Sequence, residues 1–146
     1  MTTASALPLK NPKAESYGHS FDLNRHWAAS LNLAFSSYTT SAGAITRMNQ
    51  ATHYGPLRVQ RPFYPEGRDG CCHVYLLHPP GGLVSGDELS VNINVGARAH
   101  TLITTPSANK LYKADSNGVA WSQVTHLKVA QGATLEWLPQ ETLAFN

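Results

Sequence analysis

Hydrophobic and polar positions alternate most cleanly in Leu89-Ser90-Val91-Asn92-Ile93-Asn94-Val95, where the aliphatic residues take the odd positions and the polar ones the even. Successive side chains leave a strand on opposite faces, so a period of two predicts a half-buried β-strand. Two apolar runs flank it. His73-Val74-Tyr75-Leu76-Leu77-His78 precedes the break at Pro79-Pro80-Gly81-Gly82, and Ala99 to Thr105 follows the Gly96-Ala97 turn. The stretch from Cys72 to Pro106 therefore reads as three strands, and the remaining chain extends this material on either side.

Upstream, Leu31, Leu33 and Phe35 alternate with Asn32, Ala34 and Ser36, which predicts a first strand in a region of order that starts near Trp27. Ser36 to Gly43 makes a turn, and two short strands are expected at Ala44–Met48 and Ala51–Tyr54. Leu57–Gln60 is a short strand stopped by Pro62, and Pro62–Gly67 is a loop, because proline lacks the N–H that a ladder needs. Gly67–Gly70 turns the chain into the strand at His73. Downstream, Ser107–Tyr112 has helix or turn character, and Asp115-Ser116-Asn117-Gly118 is a hairpin-type turn. Val119–Val129 is a long strand with Val119, Trp121, Leu127 and Val129 on one face. Thr134–Leu138 is another, ended by Pro139, and Leu143-Ala144-Phe145 begins a last element. Residues 1–22 are polar, carry Pro8 and Pro12 and show no period, so they read as a mobile tail ahead of a single β-rich domain over 23–146.

One internal echo bears on architecture. Val95-Gly96-Ala97 and the strand after it resemble Val129 to Pro139, where Gly132-Ala133 precedes Leu135-Glu136-Trp137-Leu138; the two Gly-Ala turns lie 36 residues apart. Strand-turn-strand units at a fixed period predict stacked β layers rather than a βαβ sheet. No long helical pattern exists to form crossover helices. The expected class is mainly β, with layered or stacked, β-helix-like strands and few short helices.

Composition narrows the function. The 146 residues have the length of one ordinary domain and are 42% hydrophobic, but only 14% are charged, against about 25% in typical soluble domains. So charge-poor a chain is expected to cover part of its surface with a partner. The net charge of +2, from 11 Lys+Arg and 9 Asp+Glu, comes without a basic cluster, which argues against nucleic acid. Cys71 and Cys72 are adjacent, so they are no disulfide framework and fit a reducing compartment. No window approaches the ~18 apolar residues of a membrane span, and the N-terminus has no secretory pattern. A cytoplasmic protein is expected, with neither membrane nor nucleic acid as partner.

Local motifs for catalysis are lacking. Gly81-Gly82-Leu83-Val84-Ser85-Gly86-Asp87 is glycine-rich, but an alternating strand follows instead of a helix N-terminus and no lysine comes with it, so a structural turn fits better than a phosphate cradle. No G-x-S-x-G elbow exists. Among the seven histidines, none pairs at helical spacing. His73 and His78, five apart, face opposite ways on a regular strand, whereas Cys71 and His73 share a face. The latter is either half a metal site or a buried cysteine beside a hydrogen-bonded histidine. Asp87-Glu88 reads as a solvated strand start. These residues favour a binding or scaffold protein over an enzyme.

Longer motifs carry a resemblance. Gly55-Pro56-Leu57-Arg58-Val59-Gln60-Arg61-Pro62-Phe63-Tyr64-Pro65-Glu66-Gly67, then His73-Val74-Tyr75-Leu76-Leu77-His78-Pro79-Pro80-Gly81-Gly82-Leu83-Val84, then Thr104-Thr105-Pro106 and Leu135-Glu136-Trp137-Leu138-Pro139-Gln140-Glu141 closely resemble the urease accessory protein UreD (UreH) family, from about Trp27 onward. The resemblance implies a layered, helix-like stack of strands. It implies an assembly chaperone that binds urease apoprotein and, with UreF and the GTPase UreG, assists GTP-dependent nickel insertion into the urease active site. No tightly bound cofactor is implied, only nickel in transit through an internal passage. His78, Asp87, His100, Glu136 and Glu141 lie in or beside the matching motifs and have donors suited to such transit. Glu136 and His100 each lie four residues past the glycine of a Gly-Ala turn, so stacked repeats would bring them together. Ser85 stands where the family commonly has glycine. Family members are longer, so the match covers their N-terminal half, and the domain is expected to be truncated at its C-terminal end. The rival readings are a β-rich binding module, for instance for carbohydrate, for which Trp27, Trp121 and Trp137 lack regular spacing, and a metal-dependent enzyme built on a β stack.

Overall fold

The computed structural model describes residues 25–41 and 43–146; the expected tail over 1–22 lies outside the described residues. Ten strands follow one another: β1 (Trp27–Thr40), β2 (Gly43–Tyr54), β3 (Arg58–Val59), β4 (Cys72–Leu77), β5 (Asp87–Val95), β6 (His100–Thr104), β7 (Asn109–Leu111), β8 (Ser122–Val129), β9 (Thr134–Leu138) and β10 (Thr142–Ala144). Among the described residues there is no helix. One sheet has the order β2-β1-β5-β8, a second β3-β4-β6-β9, and β7 pairs with β10 in a small third.

The architecture is a stack of coils. The chain runs β5, β6, β7 along three sides and then repeats the course as β8, β9, β10. Each strand lies parallel to its predecessor in the previous coil: β5 with β8, β6 with β9, β7 with β10. β1 and β4 occupy the same two sides one level earlier, parallel to β5 and β6. Antiparallel pairing is confined, among named strands, to the β1–β2 hairpin and to β3 with β4.

Alternation decides which face each strand buries. Leu31, Leu33 and Phe35 of β1 and Leu89, Val91, Ile93 and Val95 of β5 point into the space between the two large sheets. Cys72, Val74 and Leu76 of β4 and Ile103 of β6 meet them from the other side. Leu57 and Leu83, from loops, plug the core. The opposite faces are polar: Asn92 donates its Nδ2 to Asn32 Oδ1 at 3.0 Å, a rung of amides across β1 and β5. Burial fades in the last coil, where Val124, Leu127, Val129 and Leu138 are exposed.

The structure corrects several local expectations. The strands expected at 44–48 and 51–54 are one strand, β2, whose register slips from Ala34↔Gln50 to Phe35↔Met48 and leaves Asn49 as a bulge. A bulge breaks the alternation, which is why the sequence reads as two pieces. Ser107–Tyr112, expected as helix or turn, holds strand β7. Its backbone is satisfied from afar: Leu83 N–H donates to Lys110 C=O (2.8 Å) and Asn109 N–H to Glu141 C=O (2.9 Å). Asp115–Gly118 is a turn, closed by Gly118 N–H on Asp115 C=O, but it links strands of different sheets and forms no hairpin.

The echo is real, but its period is not 36. Glu88 faces Ser122 and His100 faces Thr134, both offsets of 34. The two turns superpose on that offset too, since Ala99 N–H donates to Gly96 C=O and Ala133 N–H to Ala130 C=O, each at 3.1 Å. Gly96 thus corresponds to Ala130, and Gly132 to Arg98. Gly132 has φ 67° and Arg98, a non-glycine, φ 58°. Gly96 serves a different purpose. Its N–H donates to Phe35 C=O at 2.8 Å, and a Cβ there would lie 2.9 Å from that oxygen. The two alanine substitutions are accordingly unequal. Gly132→Ala meets nothing closer than Arg98 Cγ at 3.6 Å and should cost about 1 kcal/mol, the left-handed backbone penalty. Gly96→Ala must push β1 away and should cost about 2–3 kcal/mol. Urea denaturation of the two variants checks this order; equal losses would show that Gly96 is not a contact point.

Candidate functional site

The five residues singled out in the sequence fall into separate places. His78 follows β4 on the parity of Cys72, Val74 and Leu76, so its ring turns inward. It lines a cavity of about 740 Å³ together with Leu57, Leu111, Trp121, Trp137 and Gln140. Its Nε2 is shielded from solvent without a hydrogen-bond partner among the described residues. Burial pushes its pKa below the ordinary 6.5, and the negative charge of Asp87 partly opposes the shift.

Asp87 is not the solvated strand start expected from the sequence. It is 3% exposed. Its Oδ2 accepts from Val84 N–H at 2.9 Å, while its own N–H donates to Val84 C=O at 3.1 Å. The carboxylate closes the Val84–Asp87 turn, and a buried carboxylate persists where such donors face it. Glu88, the next residue, is the solvated one and meets His26 at 2.8 Å. Asp87 also borders a second cavity of about 820 Å³, lined by Arg25, Trp27, Lys113 and Asp115 among others. In the same turn, Ser85 Oγ accepts from Asp115 N–H at 2.8 Å. The left-handed residue of the turn is Gly86 (φ 87°), so Ser85 needs no glycine-like backbone.

His100 and Glu136 come together on the outer face of the second sheet. The register sets His100 beside Thr134 and Leu102 beside Glu136, so the two side chains are diagonal neighbours on one face. His100 Nε2 lies 2.6 Å from Glu136 Oε1. Cys71, one residue before β4, is level with His100 because Cys72 faces Thr101. Its Sγ and the His100 and Glu136 donor atoms all lie within 4.8 Å of one another. Burial, with the carboxylates of Glu136 and Glu66 next in effect, pushes the Cys71 thiol pKa up to about 12. Cys72 points the other way, into the core, and both thiols are free.

His73 shares the outer face, as its parity with Cys71 predicts. Phe63 packs on it with ring centroids 5.4 Å apart. Its buried Nε2 has no hydrogen-bond partner among the described residues and stands 3.6 Å from Glu66 Oε1. Glu141 is exposed and joins none of these groups; its contribution to the fold is the carbonyl that receives Asn109 N–H. Cys71 is the member that sequence reasoning did not connect with His100 and Glu136. Its shared face with His73 was readable, but the strand beside it was not.

A family model described as "UreD urease accessory protein" matches residues 28–146. The chain belongs to the UreD family. A urease accessory protein UreD of Pseudoalteromonas translucida is 68% identical over all 146 residues, which are 48% of that relative's length. A urease accessory protein UreD 1 of Psychrobacter cryohalolentis is 64% identical over the same span, again 48% of its length. A UreD of Marinobacter nauticus is 62% identical over 130 residues, 88% of this chain and 44% of the relative. The chain thus spans about half the length of the curated UreD relatives it matches.

Within this UreD chain, the inward histidine sets a pH dependence. The folded pKa of His78 lies below the unfolded 6.5, so the unfolded state binds the proton more readily. The associated stability is fully present above pH 6.5 and is lost as pH falls from there towards the lowered folded value. Urea midpoints measured across this range should decline less steeply for His78→Gln than for the unaltered chain. Equal slopes would mean that the ring is hydrated and titrates as it does in water.

Proposed function

We propose that this chain serves as an assembly chaperone in urease maturation, binding urease apoprotein together with UreF and the GTPase UreG and assisting GTP-dependent insertion of nickel into the urease active site. The family match over residues 28–146, with relatives named as urease accessory proteins, carries the reading. The fold is compatible with it. The glycine-rich loop leads into strand β5 rather than into a helix, so nucleotide chemistry is assigned to the GTPase partner and no catalytic step to this chain. No helix among the described residues is long and apolar enough to cross a membrane, and the reading places the chain in the cytoplasm with the urease it serves.

Nickel is cargo in this scheme, bound in transit rather than kept. The unpartnered His78 nitrogen facing one cavity and Asp87 beside the other are the groups we assign to an internal passage. His100, Glu136 and Glu141 are assigned to its outer stations. Imidazole and carboxylate suit nickel, and few ligands per station allow release.

The test is capture and activation. The tagged chain should retain urease apoprotein, UreF or both from purified mixtures. Co-expressed with the urease subunits, UreF and UreG, Glu136→Ala and Glu141→Ala should lower nickel-dependent activation several-fold while leaving the circular dichroism spectrum intact. A folded chain that captures neither protein would overturn the chaperone reading, and full activation by either variant would remove that residue from the nickel route.

A further inference from the structure

We propose that Cys71, His100 and Glu136 form a binding site for one borderline divalent cation, of the nickel, cobalt and zinc class, on the outer face of the second sheet. The proposal builds on the assignment of His100 and Glu136 to nickel handling and adds the sulfur donor that makes a defined station of the pair.

The three donors come from three adjacent levels of one parallel sheet: Cys71 ahead of β4, His100 at the start of β6, Glu136 in β9. Neighbouring strands lie about 4.8 Å apart, so side chains on one face of successive levels converge without special loop geometry. The donor atoms lie within 4.8 Å of one another. A tetrahedral ion with ligand bonds of about 2.0–2.3 Å needs donor separations near 3.3–3.8 Å, which rotamer adjustment can reach. A set of sulfur, imidazole nitrogen and carboxylate oxygen selects borderline transition ions; calcium and magnesium favour oxygen alone.

The charge around the thiol favours a cation as well. Glu136 and Glu66 both face Cys71, and Glu66 holds its backbone N–H at 3.2 Å. On binding, the S–H bond breaks, its proton leaves to solvent, and the His100–Glu136 contact gives way to two metal bonds. His73, whose buried Nε2 has no hydrogen-bond partner among the described residues and stands 3.6 Å from Glu66 Oε1, is a further imidazole on the same face. The sulfur is buried while the His100 and Glu136 side chains are 46% and 41% exposed. The site is closed below and open above, so three protein donors leave a position free for exchange.

The test uses the untagged, reduced chain titrated with cobalt(II), then nickel(II), read by absorption and calorimetry. One ion per chain and a thiolate-to-metal charge-transfer band are expected. The band should vanish in Cys71→Ser and survive in Cys72→Ser, whose sulfur faces the core. Glu136→Gln, which keeps the side chain's size, should weaken binding at least about tenfold, since even outer-shell changes cost that much. Absence of the band, its persistence in Cys71→Ser, or unchanged affinity in Glu136→Gln would each overturn the site. Because the readout is metal bound by the chain alone, its failure leaves the urease reading standing. Failure to capture urease or UreF would leave this site standing.

Discussion

The parallel backbone ladder between successive coils is the constraint on which the rest depends. Parallel strands of equal register place residues of successive levels in columns. Leu33, Ile93 and Leu127 form one inner column, Val74, Ile103 and Trp137 another. The earlier levels bury their apolar residues against one another and against the opposing sheet, whereas Leu127 and Val129 of the last coil remain exposed. The outer columns are built by the same ladder, so the convergence of Cys71, His100 and Glu136 follows from register in the same way as the packing of the core. A one-residue slip of β9 against β6 would turn Glu136 inward and Trp137 outward, abolishing the cluster and the core column together.

Local pattern was enough to find the strands that bury one face. β9 was readable to the residue, and β5 and the first half of β1 were readable because alternation reports burial directly there; the turn expected over Ser36 to Gly43 is instead mostly the end of β1, which runs to Thr40. Where burial is weak or the ladder irregular, the signal fades. β7 is half-buried along its length and is held by bonds to Leu83 and Glu141, partners that no local window contains. The period of the coils was misread for a physical reason. The visible glycines, Gly96 and Gly132, answer different requirements, one a close approach to β1 and the other a left-handed turn, so they are not equivalent positions. The true equivalent of Gly132 is Arg98, whose positive φ nothing in its side chain announces.

The meeting of His100 and Glu136 was anticipated for a reason the register amends. Counted from the glycines they appeared level, whereas they are diagonal by two residues. They meet because a histidine and a glutamate are long enough to span a diagonal, within reach of such pairs in sheets. The same count carried no information about Cys71, since the partner of β4 in a parallel sheet is set by the course of the whole coil. Asp87 shows the opposite failure. Its neighbours are polar and its local pattern is that of a surface turn, yet it is buried and one carboxylate oxygen closes the turn on Val84 N–H.

Parity along β4 separates the two groups of metal-competent residues absolutely. Cys71 and His73 project outward; Cys72, Val74 and Leu76 project inward, and His78 continues on their side. Between the outer cluster and the inner cavity stands the sheet itself, with Val74 and Ile103 fully buried on its inner surface. A cation on the outer face and one beside His78 would therefore occupy different stations reached from different sides, since no rotamer change carries a donor through a hydrogen-bonded sheet. The outer cluster is open to solvent through the half-exposed side chains of His100 and Glu136. The inner cavity is lined by Trp121, Trp137 and the His78 imidazole. The sheet that separates them is held by the same register that sets Glu136 on one face of β9 and Trp137 on the other.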